Sequence, residues 1–102
     1  MRYEIYQLDT SKESVRTLHK TFASWSELQR YCGGFNFGDY KQVYEDEITA
    51  DKGVIELLED IFTKFNINHP KDFKGHSLSV SDVVVLDGKM YYCDSEGWQD
   101  IN

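Results

Sequence analysis

The stretch GHSLSVSDVVVLDGKMYYCDSEGW, residues Gly75–Trp98, decides how this chain folds. Val83-Val84-Val85-Leu86 is a β-branched run, and Met90-Tyr91-Tyr92-Cys93 is a second strand-like run. Between them, Asp87-Gly88 tolerates the positive φ angles of a two-residue type I′ turn. That turn sets Leu86 opposite Lys89, Val85 opposite Met90, Val84 opposite Tyr91 and Val83 opposite Tyr92. Opposed residues share a face. Val84, Leu86 and Tyr91 therefore line one side of the hairpin, and Val83, Val85, Met90 and Tyr92 the other. Both sides are apolar, which predicts a hairpin inside a sheet rather than at its rim.

The rest of the chain supplies partners for that hairpin. Arg2–Leu8 alternates Tyr3, Ile5 and Gln7 with Glu4, Tyr6 and Leu8 and reads as a first strand. Asp9–Lys12 is turn-like. Ser14–Lys20 reads as a short extended segment, although Val15, Leu18 and Phe22 also show weak helical spacing. Ser24-Trp25-Ser26-Glu27 is a capping box that opens a helix with Trp25, Leu28, Tyr31 and Cys32 as its buried stripe, and Gly33-Gly34 ends it. Phe35–Asp39 is a loop. Tyr40–Ile48 reads as a strand with Lys41, Val43 and Glu45 on one side and Tyr40, Gln42 and Tyr44 on the other. The clearest helix spans about Gly53 to Phe65, where Val54, Leu57, Leu58, Ile61, Phe62 and Phe65 form a wide stripe. Asp51 is its expected N-cap and Asn66 its expected end. Trp98–Ile101 completes the pattern as a last short strand. The order predicts an α+β fold, an antiparallel or mixed β-sheet with two helices packed on one face, in one domain over residues 1–102.

Composition narrows the function. Of 102 residues, 40% are hydrophobic and 15% aromatic, enough for a core and against disorder. No apolar run is long enough to span a bilayer. The opening Met1-Arg2-Tyr3-Glu4 lacks the basic-then-apolar pattern of a signal peptide, so a cytoplasmic location and no membrane partner are expected. Cys32 and Cys93 lie far apart without a C-x-x-C and read as ordinary thiols of a reducing compartment. The net charge of −7, from 18 acids against 11 bases, argues against direct nucleic-acid binding, because phosphate contacts need a Lys/Arg excess.

No catalytic signature emerges. His19, His69 and His76 match no metal-ligand spacing, although His69 and His76 flank a loop that could converge with Asp72 or Asp82. His76-Ser77 and Asp94-Ser95 supply the residue types of a nucleophilic triad without the strand-turn-helix elbow that activates a serine. Gly33-Gly34 and Gly38 lack the spacing and the lysine of a phosphate loop. Ser77, Ser79, Ser81 and Asp82 read as short side chains bonding local backbone ahead of the hairpin. An enzyme, a metal and a cofactor are all unexpected on these grounds.

The acids carry more weight. Glu45, Asp46 and Glu47 form one cluster, Glu56, Glu59 and Asp60 a second along a helix face, and Asp94, Glu96 and Asp100 a third. A charge run is most often a solvated face. Repulsion among close carboxylates is nonetheless relieved by a cationic partner, which makes these acids candidate partner contacts. Phe35, Phe37, Tyr40 and Trp98 lie in or beside loops and are the candidate aromatic anchors of such an interface, with core packing as the competing role.

The segment FNINHPKDFKGHSLSVSDVVVL, Phe65–Leu86, together with Tyr91–Trp98, resembles the YodL-like domain family of Gram-positive mobile elements. Tyr3–Leu8 and Tyr40–Glu45 resemble the family's opening and middle strands, whereas Asp9–Asp39 carry little of the likeness. Glu96 stands where the family often has an aromatic or small residue. The resemblance implies a module of conjugative and phage-like elements and brings no catalytic residues. A short acidic member is similar to the inhibitors that mobile elements use against host nucleases. The implied function is a type II-A anti-CRISPR inhibitor that binds a Cas9-type nuclease, with or without guide RNA, and blocks guide RNA or DNA engagement. The alternative it implies is an interaction module acting on the actin-like cell-shape cytoskeleton or on conjugation machinery.

Overall fold

The computed structural model describes all 102 residues. Strands β1 (Arg2–Leu8), β2 (Tyr40–Glu47), β3 (Val83–Leu86), β4 (Lys89–Cys93) and β5 (Trp98–Asp100) form one antiparallel sheet in the order β2-β1-β3-β4-β5. Helices α1 (Glu13–Thr17), α2 (Trp25–Tyr31) and α3 (Val54–Ile67) and a single 3-10 turn at Phe37–Asp39 complete the fold. The hairpin has the expected register, Val83 against Tyr92 through Leu86 against Lys89. Asp87 at φ 51° and Gly88 at φ 79° provide the two left-handed positions of its turn. It lies inside the sheet, since β3 also pairs with β1 and β4 with β5.

Each face of the hairpin has its own core. Val84, Leu86 and Tyr91 join Tyr3 and Ile5 of β1 and the Leu57, Leu58, Ile61 and Phe65 stripe of α3. Val83 and Tyr92 pack on the opposite side with Ala23, Leu28 and Cys32 from around α2. The α+β class with an antiparallel sheet is as expected. The two helices, however, cover opposite faces of the sheet rather than one. The cause is in the hairpin: Val83 and Val84 point to opposite sides and both are fully buried, so neither face can be left to water.

Several local expectations change for similar reasons. Ser14–Lys20 contains a short helix, not an extended segment. Its backbone closes through Arg16 N–H to the Lys12 carbonyl (3.3 Å) and Leu18 N–H to the Ser14 carbonyl (3.3 Å), the Thr17 hydroxyl donates to the Glu13 carbonyl (2.8 Å), and Arg16 ties the helix to the preceding turn through the Thr10 and Ser11 carbonyls. Tyr31 is 77% exposed, because α2 is only two turns long and places Leu28 and the capping Cys32 toward the sheet. Gly53, not Asp51, occupies the N-cap of α3, which runs past Asn66 to Ile67. In β2 the simple alternation fails. Ile5 pairs with Tyr44 and Tyr6 with Gln42, so Val43 is the extra residue of a β-bulge. The bulge turns Tyr44 toward the α3 side and leaves Tyr40 on the α2 side.

The capping box forms as expected, with the Ser24 hydroxyl accepting from the Glu27 amide (3.2 Å) and the Glu27 carboxylate accepting from the Ser24 amide (3.0 Å). The loops around α2 are held by a buried ion pair. Lys20 Nζ lies 2.7 Å from Asp39 Oδ2, with the two side chains 4% and 5% exposed. Lys20 also donates to the Gly34 carbonyl (3.0 Å), and the Ser14 hydroxyl to Asp39 Oδ1 (2.7 Å). Burial pushes the Asp39 carboxyl up, but the hydrogen bonds from Lys20 and Ser14 and the Lys20 charge outweigh it and leave the carboxyl below its ordinary value. Lys20→Met strands a buried carboxylate and is expected to cost about 3 kcal/mol in urea unfolding, whereas Lys20→Met/Asp39→Leu recovers most of that loss.

Candidate functional site

The fold makes two concave sites from separate stretches of chain. The first is a groove between α3 and the β4–β5 turn, about 220 Å³ in volume. Glu59 and Phe62 sit three residues apart on α3 and so project from neighbouring turns of one face. Asp94 follows β4, and Trp98 opens β5. The Phe62 and Trp98 rings meet edge to face with centroids 6.3 Å apart. Asp94 Oδ1 accepts from the Trp25 amide (3.0 Å) and the Ser95 amide (2.8 Å), which ties the end of β4 to the first turn of α2. Asp94 Oδ2 and the exposed Glu59 carboxylate have no partner within the chain. Two carboxylates beside two aromatic rings suit a guanidinium or ammonium group. Burial pushes the Cys93 thiol at the groove up to about 12, which disfavours its thiolate form.

The second site is a cavity of about 370 Å³ where β1 ends and β3 begins. Gln7, 2% exposed, donates Nε2 to the His76 carbonyl (2.9 Å) and to Asp82 Oδ2 (3.1 Å), and accepts from the His76 amide (3.2 Å). Asp82 Oδ2 also accepts from the Ser79 amide (2.9 Å). Both hydrogens of the Gln7 amide are thus used, so His76 Nδ1 donates to the Ser77 carbonyl (2.7 Å). Gly75 is required here: a Cβ would lie 2.1 Å from Gln7 Oε1. Phe22 and Ser81 hold left-handed backbone angles, φ 65° and 84°, without being glycine, and the Phe22 amide donates to the Ser81 hydroxyl (3.0 Å). Burial raises the Asp82 carboxyl to about 7, against the opposing pull of the Ser79 amide, the His76 charge and the Gln7 amide.

The residues singled out in the sequence are distributed unevenly. Glu59, Asp94 and Trp98 come together in the groove, and Glu96 is exposed in the adjoining turn. Glu45, Asp46 and Glu47 line the outer end of the edge strand β2, where Glu45 ion-pairs with Arg2 and Asp46 accepts from the Tyr44 hydroxyl (3.3 Å). Glu56 and Asp60 are exposed on α3, and Asp60 pairs with Lys52 at 2.8 Å. Phe35 and Tyr40 pack into the α2-side cluster, and the Tyr40 hydroxyl donates to the Ser81 carbonyl (2.6 Å). Phe37 lies against Tyr6, centroids 4.8 Å apart, and is 39% exposed. Asp82 does bond local backbone as expected, but the Ser81 hydroxyl serves Phe22 across the fold and the Ser79 hydroxyl has no partner. No three His, Cys, Asp or Glu side chains gather in a metal-holding arrangement.

The sequence model of the YodL-like domain family matches residues 2–102. The chain belongs to the YodL-like domain family. No curated protein and no solved structure matched it. In this YodL-like domain the match runs through residues 9–39, which supply α1, α2 and the cover of one sheet face. No helix is long and apolar enough to cross a membrane.

Asp82 gives the domain a measurable pH dependence. Its folded value of about 7 lies above the ordinary 3.8, so the folded state keeps a proton that the unfolded chain has released. The stability contributed by this group therefore falls as pH rises from about 4 to about 7. Asp82→Asn should remove that slope: in urea unfolding the variant is expected to gain on the parent by ~2 kcal/mol between about pH 5 and about pH 8.

Proposed function

We propose that this YodL-like domain acts as a stoichiometric binding protein, with the Glu59–Asp94–Trp98 groove as the seat of a cationic side chain on a partner protein. The supporting observation is the convergence of these three residues, from α3, the end of β4 and the start of β5, beside Phe62. A lysine or arginine entering the groove meets two carboxylates and two aromatic rings, and the ring contact alone is worth about 0.5–2 kcal/mol. The net charge of −7 draws a basic surface in from beyond contact range. Asp46 and Glu47 on β2 add carboxylates that no lysine or arginine of the chain neutralises.

The first partner to test is a Cas9-type nuclease, whose guide and target channel is positively charged. On this reading the domain is an anti-CRISPR inhibitor from a mobile element that works in the cytoplasm by occupying that channel. The second candidate is the actin-like cell-shape cytoskeleton or conjugation machinery, where the same groove would take a basic segment. Neither reading makes or breaks a covalent bond.

The experiment is complex formation with purified Cas9-type nuclease, with and without guide RNA, and in parallel with the purified cell-shape filament protein. A complex of fixed stoichiometry is expected with one of them. Glu59→Lys should weaken it at least ~10-fold, and raising salt to about 0.5 M should weaken it further. Trp98→Ala tests the aromatic wall. A complex indifferent to both substitutions and to salt would remove the groove from the interface, and turnover of a substrate in large excess would overturn the binding reading altogether.

A further inference from the structure

We infer that the cavity at the end of β1 binds a nucleoside phosphate whose base carries an exocyclic amino group. It shares no lining residue with the Glu59–Asp94–Trp98 groove, so this inference stands or falls separately from the proposed function. Its volume of about 370 Å³ is within the range of small-molecule sites.

Three features of the wall set the chemistry of the ligand. The first is at the deep end. Asp82 is 1% exposed and commits Oδ2 to Gln7 and Ser79, while Oδ1 has no partner in the chain. Above about pH 7, where Asp82 has released its proton, Oδ1 is an acceptor without a partner in a residue that lines the cavity; it calls for a ligand N–H, and a carboxylate accepting from a base amino group is an established pairing. The second is Phe22, which is 61% exposed in a core-rich domain. Its left-handed backbone and the hydrogen bond from its amide to the Ser81 hydroxyl hold the ring at the cavity, 6.0 Å from the His76 ring. An aromatic face held in place at the cost of backbone strain suits stacking of a planar base. The third is the rim. Lys41 and Lys74 line the cavity without an acidic partner, in a chain with an excess of acids. Two free ammonium groups suit a phosphate.

A free amino acid would satisfy Asp82 with its ammonium and the lysines with its carboxylate, but it leaves the Phe22 face unused. The nucleotide accounts for all three features. The arrangement is built, not incidental: Lys41 sits opposite Gln7 in the β1–β2 register, and Gln7 fixes both the His76 backbone and Asp82.

The test is titration of the whole chain with AMP and CMP, with IMP and UMP as the counterparts in which an oxygen replaces the amino group. Inorganic phosphate and glycine serve as further ligands, and calorimetry and amide chemical shifts as the readouts, all at about pH 8, where Asp82 is ionised. AMP or CMP should bind with a Kd of ~1 mM or tighter and move the amides of Thr10, Phe22 and Gly75. IMP and UMP should bind at least ~5-fold more weakly than their amino counterparts. Lys41→Ala/Lys74→Ala and, separately, Phe22→Ala should each weaken AMP or CMP at least ~10-fold while leaving the melting temperature near that of the parent, because all three side chains are exposed. Asp82→Asn, whose amide can turn to donate, should erase the preference for the amino base. Absence of AMP and CMP shifts up to about 10 mM, binding of phosphate or glycine as tight as that of AMP, or a preference unchanged in Asp82→Asn would each overturn the inference.

Discussion

The pairing of β1 with β3 is the interaction on which the rest of the structure depends. It joins the start of the chain to the hairpin near its end, with Tyr3 opposite Leu86 and Tyr6 opposite Val83. Once it forms, β1 and β3 are flanked on both edges, and both of their faces must be covered. α3 covers one face through Leu57, Leu58, Ile61 and Phe65, and the chain around α2 covers the other through Ala23, Leu28 and Cys32. The sandwich of helix, sheet and helix-bearing loops follows from the burial of strands that are apolar on both sides.

Apart from the buried Ser79 hydroxyl, which has no partner, polar side chains enter this interior in networks. Lys20 and Asp39 neutralise each other and take up Gly34 and Ser14. Gln7 is saturated by His76 and Asp82. Each network ties a loop to the sheet where no regular backbone ladder can reach it, so each sets loop position at some cost in desolvation. The exceptions to closure are informative. Asp82 Oδ1 and Asp94 Oδ2 each stay without a partner while the other oxygen of the same carboxylate is bonded, and each belongs to a residue that lines one of the two concave sites.

What could be read in the sequence was what local chemistry specifies. The Asp87-Gly88 turn, the capping box at Ser24 and the stripe of α3 each depend on residues within a turn or two of one another. The first two appear as expected, and so does the α3 stripe except at its first member, Val54, which is 41% exposed because it lies in the opening turn of the helix. The two-sided burial of the helices was implicit in Val83 and Val84, yet it was obscured because nothing local says which face a helix will take. The bulge at Val43 exists only against Ile5 and Tyr6, so β2 alone reads as a regular strand. The site was legible in pieces. Glu59, Asp94 and Trp98 were each visible as an exposed acid or a loop aromatic, but their convergence needs α3 to lie beside the end of the hairpin. Gln7 offered a clearer signal, a polar residue in the inward register set by Tyr3 and Ile5, whose partners His76 and Asp82 lie too far along the chain to be named in advance.

The sheet order also dictates how the molecule can assemble as it leaves the ribosome. β1 is translated before the other four strands of the sheet, yet the neighbour on its inner edge is not made until residues 83–86 emerge. β2 can dock earlier, leaving a half-built ribbon whose open edge displays the backbone of Tyr3 to Tyr6 beside apolar side chains. Such an intermediate is vulnerable to association with other nascent chains, and long-range antiparallel closure is slow. The exposure of that edge therefore lasts as long as synthesis of the stretch between β2 and β3 takes.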